Sequence, residues 1–151
     1  MHQEYHRAPY HIYTAPEKAD VQAIHRYLSE DSYWAENIPL EVVSRAIQNS
    51  LCFSLYAAEK QIGFARVITD KATFAYLCDV YVLPEFRGQG LSKWLMTCIQ
   101  EHPDLQNLRR FMLATKDAHG LYAQFGFKPT AAPDRLMEIV NRDIYKSAVV
   151  S

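Results

Sequence analysis

Residues 83–94 read LPEFRGQGLSKW. Glycine gives up the most backbone entropy on folding. Two of the chain's five glycines nonetheless flank Gln89, directly after Arg87. The run beyond Gly90 carries Leu91, Trp94, Leu95, Cys98 and Ile99, spaced i, i+3, i+4, i+7, i+8. That spacing predicts a helix with one buried stripe, stopped by Pro103. The run before it, FAYLCDVYVL (74–83), is apolar on both faces apart from Asp79, as in a central strand covered on both sides. A strand feeding a helix through bare glycines puts unpaired N–H groups and the positive end of the helix dipole at one point. A phosphate oxygen can approach such backbone closely, and Arg87 adds a planar cation suited to it. A tight turn with a solvated arginine is the competing reading. The stretch is not a Walker loop, which needs Gly-Lys-Ser/Thr, nor the dinucleotide fingerprint, which needs a third glycine.

Working outward, Arg110 to Ala114 is strand-like. Strand, helix, strand then implies a right-handed parallel βαβ unit. LCFSLYAAE (51–59) and IGFARVITD (62–70) predict an antiparallel hairpin joined across Lys60-Gln61, with a further turn at Thr69-Asp70-Lys71. Upstream, His11 to Thr14 is a short strand, and Thr14-Ala-Pro-Glu17 has capping-box spacing for a helix reaching about residue 29. Residues 30–39 form a polar loop holding Tyr33 and Trp34, and a second helix runs from Pro39 to Asn49. Downstream come a short helix near 117–124, Gly126-Phe127, and a last strand at 135–140. His2, His6 and His11 are expected in a mobile N-terminal arm, without zinc spacing.

Length suits one domain over residues 1–151. A net charge of −1 with no basic stripe argues against bulk nucleic-acid binding. No apolar run reaches the ~20 residues of a membrane span, and no apolar signal core opens the chain. Cys52, Cys78 and Cys98 are odd in number and lie in apolar patterns, so they read as small buried hydrophobes of a protein in a reducing cytoplasm.

DVYVLPEFRGQGLSKWLM (79–96), followed by DAHGLYAQFGF (117–127), closely resembles the GNAT superfamily of acyl-CoA-dependent N-acetyltransferases. The family phosphate motif is matched by Arg87, Gly88, Gln89, Gly90, Leu91 and Ser92, with serine at the final small position. The second family signature is matched by Ala118, Leu121, Tyr122, Gly126 and Phe127, with Thr115 where asparagine is usual. The resemblance is strong over about 74–127. It implies an α/β (α+β) fold: a mixed, mostly antiparallel sheet of six to seven strands with a central splayed parallel pair, flanked by about four helices. It implies acetyl-CoA as donor, its pantetheine arm along Val80, Tyr81 and Val82, its pyrophosphate on residues 87–92, and Thr115 nearby. It further implies a small-molecule amine or peptide acceptor, and it allows a homodimer.

Acetyl transfer to an amine requires the amine to lose a proton and the departing thiolate to gain one. By family position Tyr122 is the acid; an unperturbed tyrosine, with pKa about 10, is protonated at neutral pH. Packing beside Phe125 and Phe127 is its bland alternative. Some relatives carry a strand glutamate as base, matched here by Tyr76; Asp79 is the only carboxylate within the strand, and it either takes the proton or pairs with a structural donor, with a water-mediated proton path also open. Alternation places Asp79 on the face of Leu77 and Tyr81 unless a bulge intervenes. Tyr33 and Trp34 sit where the family binds its acceptor, or else anchor the loop. Arg66 is expected to face solvent and His119 to lie at the surface. A non-catalytic acyl-CoA-binding module is the alternative of a different class.

Overall fold

The computed structural model describes residues 2–146. Six strands form one sheet in chain order: β1 (Glu4–Arg7), β2 (Tyr10–Tyr13), β3 (Leu51–Ala57), β4 (Lys60–Thr69), β5 (Phe74–Val82) and β6 (Arg110–Leu113). All neighbours are antiparallel except β5 and β6, which run parallel. The helices are α1 (Val21–Arg26), α2 (Leu40–Gln48), α3 (Leu91–Glu101) and α4 (His119–Ala123). The architecture is the mixed sheet with one parallel pair expected from the sequence.

The centre of the sheet is buried on both faces. One face packs Phe53, Leu55, Val67 and Leu77 against Leu91, Leu95 and Ile99 of α3, the stripe read from the sequence. The other packs Cys52, Phe64 and Tyr81 against Ile24 and Leu28 from the α1 side and Val43 and Ile47 of α2. This double cover is why β5 reads as nearly continuous apolar sequence.

Four local expectations are corrected. Thr14 does not cap α1: its hydroxyl oxygen accepts the Gln3 N–H (2.7 Å), while Asp20 caps the helix by accepting the Ala23 N–H (3.1 Å). The β3–β4 turn falls at Ala58-Glu59, so Lys60 and Gln61 lie in β4; Ala58 takes φ +53°, a turn role for which asparagine or glycine is the usual signal. Residues 4–7, expected in a mobile arm, form β1, paired residue for residue with β2. Residues 135–140, expected as a strand, pair with nothing among the described residues: Arg135 ends a 3-10 turn, and Met137 is 96% and Ile139 105% exposed.

Candidate active site

The βα turn is shaped by its glycines. Gly88 (φ +82°) and Gly90 (φ +76°) both occupy the left-handed region, and a Cβ on either would meet no atom within 4 Å. The turn is therefore glycine for conformation, with open space above it. The first helical bond runs from Trp94 N–H to Gly90 O (3.0 Å), so the N–H groups of Leu91, Ser92 and Lys93 precede the ladder. Among the described residues, no side chain caps them, and no acidic residue stands in the first turn. Leu91 is buried and pins the turn to the core; Ser92 is half-buried.

Two side chains of the motif are spent on holding its shape. Arg87 Nε donates to Val82 O (2.8 Å) and its Nη2 to the Tyr27 hydroxyl (3.1 Å). Tyr27 stacks flat on Tyr81, with ring centroids 3.9 Å apart. Arg87 thus clasps the end of β5 to the end of α1. Gln89 accepts from the Tyr10 hydroxyl (2.6 Å), tying the turn to β2. The fork expected to be free for phosphate has protein partners at Nε and Nη2. Tyr27 gave no signal in the sequence beyond its place in an amphipathic run.

β5 and β6 pair only from Phe74↔Arg110 to Leu77↔Leu113. Beyond that point they part, and a cavity of about 440 Å³ opens between them. It gathers Tyr33, Trp34, Asp79, Val80, Thr115 and Tyr122, which the sequence had marked for the site, with Tyr76 from the family's glutamate position, Cys78, read as a buried hydrophobe, and Lys116 and Asp117, to which it gave no role. Tyr81, Val82 and the RGQG turn lie outside its lining.

A β-bulge sets the geometry here. The register slips between Phe64↔Tyr81 and Arg66↔Cys78, so Asp79 and Val80 together oppose Ala65. Asp79 takes φ +54°, a conformation that aspartate tolerates better than most residues. The bulge reverses the alternation: Leu77 joins the α3 face of the sheet and Tyr81 the α1–α2 face. Plain alternation had put both on one face with Asp79.

Both carboxylate oxygens of Asp79 are engaged. Oδ2 accepts from Arg66 Nε (2.8 Å) and Oδ1 from Trp34 Nε1 (2.8 Å). The Arg66 and Asp79 side chains are only 16% and 11% exposed. Arg66 Nη1 also donates to Ser50 Oγ (3.1 Å). Arg66 therefore faces into the protein, not the solvent expected of it. Desolvation pulls its pKa down, but the neighbouring Asp79 carboxylate, with Cys78 and Cys52, leaves it raised. Trp34, 40% exposed, is hung from the strand carboxylate and meets Tyr33 edge to face at 5.1 Å. A π-helical turn at Tyr27–Asp31 aims this loop at the sheet; the Ser32 hydroxyl closes it by donating to Leu28 O (2.7 Å).

Tyr122 is 9% exposed and packs on Phe127 at 6.1 Å. Burial, then the nearby Tyr33 and Asp117, raise its pKa above the ordinary tyrosine value. Thr115, in the asparagine position, uses its hydroxyl to accept the Ala118 N–H (3.0 Å) at the start of α4. His119 is exposed. Among the described residues, no helix is long and apolar enough to cross a membrane.

Comparison with known proteins bears on this arrangement. The model of the acetyltransferase (GNAT) domain matches residues 48–129. A Gibberella zeae protein assigned as an acetyltransferase is 34% identical over 142 residues, covering 81% of this chain and 80% of its own. The crystal structure of a Xanthomonas campestris protein assigned to the GNAT family superposes with a TM-score of 0.88 at 55% identity, over 90% of this chain and 96% of that one. A Clostridium acetobutylicum protein described as an acetyltransferase and solved with acetyl-CoA superposes at 0.64, over 93% and 96% of the chains; at 16% identity the likeness is one of fold. The chain belongs to the GNAT acetyltransferase family.

Proposed function

We propose that the chain transfers an acetyl group from acetyl-CoA to a primary amine, by direct attack within a ternary complex. The observation that carries this is the parting of β5 from β6 beyond Leu77 and Leu113, beside an uncapped helix start and with buried Tyr122 in the opening. The two glycines leave room for pyrophosphate oxygens at the N–H groups of residues 88–92. The strand edge of Val80, Tyr81 and Val82, left by β6, offers backbone partners to an extended pantetheine arm. Thr115, at the far wall, is committed to α4 and contributes shape.

Bound acetyl-CoA supplies an activated acyl group. The chain's own residues then handle protons. Tyr122 donates to the leaving thiolate; its raised pKa keeps it protonated across the neutral range. Asp79 receives the amine's proton, using a lone pair left on an oxygen that already accepts one bond. Tyr33 and Trp34 form the aromatic wall against the acceptor. Two bonds on Asp79 favour a second reading of that residue, in which it positions Trp34 and a water chain takes the proton.

The test is thiol release from acetyl-CoA across a panel of primary amines, with the product identified by mass. Amine-dependent release supports transfer. Saturable CoA binding with no amine-dependent release would leave only a binding module. Asp79→Asn separates the two roles: loss of kcat with an altered acid limb of the pH profile fits a base, and an unchanged profile with raised acceptor KM fits positioning.

A further inference from the structure

Arginine carries five N–H donors on one planar cation. In Arg87, Nε donates to Val82 O (2.8 Å) and one N–H of Nη2 donates to the Tyr27 hydroxyl (3.1 Å). The second N–H of Nη2 and both of Nη1 have no partner among the described residues, and no carboxylate there pairs with the guanidinium. The side chain is half-buried beside the exposed turn residues Gly88, Gln89 and Gly90. A partly desolvated cation with unspent donors and no counter-ion is matched to an anion from outside the chain.

Tyr27 is what holds this side chain still. Its ring is 8% exposed and lies flat on Tyr81, with centroids 3.9 Å apart and planes 7° from parallel. Tyr81 belongs to β5, the strand that feeds the turn, so the Tyr27 hydroxyl is fixed relative to the turn itself. A free arginine gives up rotamer freedom when it closes on a ligand; one already held by two bonds has less to lose. Tyr27 lies sixty residues before Arg87, so no motif read over 87–92 includes it.

We infer that Tyr27 is a positioning residue for the donor: it holds Arg87 so that the unspent guanidinium N–H groups meet the pyrophosphate of coenzyme A, which rests on the reading of the RGQG turn as the cofactor's seat. The planar fork then adds a bidentate side-chain contact to the backbone N–H groups of residues 88–92. A clasp that only tied α1 to β5 would be indifferent to what binds at the turn.

Calorimetric titration of CoA into wild type, Tyr27→Phe, Arg87→Met and the double variant tests this. Phenylalanine keeps the stack on Tyr81 and removes the hydroxyl. Tyr27→Phe is expected to weaken CoA about tenfold, and Arg87→Met by at least as much. In the Arg87→Met chain, Tyr27→Phe should change the affinity by less than about twofold, because the hydroxyl acts through the guanidinium. CoA affinity of Tyr27→Phe within about twofold of wild type overturns the inference, and so does a further loss of about tenfold in the Arg87→Met chain. Turnover of S-acetylpantetheine, which lacks the phosphates, separates positioning from support of the whole site. Its kcat/KM should be equal in wild type and Tyr27→Phe, and a fall of about tenfold with this donor too would overturn the inference. A wild type that binds no CoA would overturn the cofactor reading itself, and the inference with it.

Discussion

Replacing Arg66 by methionine isolates the ion pair beneath the proposed acceptor site. Methionine keeps most of the aliphatic stem and removes the guanidinium. The substitution deletes the 2.8 Å bond to Asp79 and the 3.1 Å bond to Ser50. A hydrogen bond that involves a charged group contributes about 1.5–3 kcal/mol, and the guanidinium makes both of these such bonds. At 16% and 11% exposure the pair is shielded from most solvent screening, and Asp79 would be left as a poorly solvated carboxylate. The expected cost is therefore about 3 kcal/mol, or about 6–12 °C in Tm at about 2–4 °C per kcal/mol for a chain of this size. Adding Asp79→Asn should recover about 1–2 kcal/mol of that loss, because the orphaned charge is gone while the Oδ1 bond from Trp34 survives. Urea unfolding of the two single variants and the double variant measures the coupling. An Arg66→Met variant within about 0.5 kcal/mol of wild type would refute the reasoning and return the pair to the class of screened surface bridges.

Other consequences follow from single observations. Tyr122→Phe should lower kcat about a hundredfold, with KM for acetyl-CoA within about twofold, because general acid catalysis contributes at least that much; steady-state kinetics decide, and an unchanged kcat rejects the assignment. Gly63→Ala should cost about 2 kcal/mol, because its Cβ would lie 2.9 Å from the Tyr81 carbonyl at a buried position of β4, and a Tm indistinguishable from wild type would contradict it. Asp70 accepts hydrogen bonds from the Thr73 hydroxyl and from the N–H groups of Thr73, Ala72 and Phe74, which hold its carboxyl well below the usual range. With the folded pKa depressed, its stabilisation is complete above the unfolded value near about 4 and is lost as pH falls further. Asp70→Asn should flatten the decline of Tm below that pH, and an unchanged slope would refute the link.

Legibility in the sequence followed the range of the forces involved. β5, the RGQG turn, α3 and β6 were readable because each is dictated by its own period or by local glycine conformation. α3 displayed its buried stripe at helical spacing, and 74–83 displayed burial on both faces. The bulge at Asp79 was not readable, because it is a matter of register against β4, and a left-handed aspartate leaves no mark in the pattern. Arg66 was misplaced for the same reason: its partner is fixed by that bulge. β1 is polar apart from Tyr5 and is held by backbone pairing with β2, so periodicity had nothing to report. The run at 135–140 shows the converse. Its pattern is that of a strand, but a strand exists only where an edge receives it. Of the site, the sequence marked Tyr33, Trp34, Asp79, Val80, Thr115 and Tyr122, which line the cavity, and Tyr81, Val82 and residues 87–92, which lie outside its lining. Lys116 entered only through the splay of two strands, and Asp117 was known only as part of the signature run.

The central claim is that the glycine turn before α3 holds coenzyme A. Calorimetric titration of CoA into the wild-type chain and into Gly90→Val tests it most directly. Valine would place two methyl groups in the open space above a φ of +76°. Saturable binding of one CoA per chain is expected, weakened more than about tenfold in the variant, which corresponds to about 1.4 kcal/mol for the loss of close phosphate approach to the turn. No saturable binding to the wild type, or equal affinity in a Gly90→Val chain that folds, would contradict it.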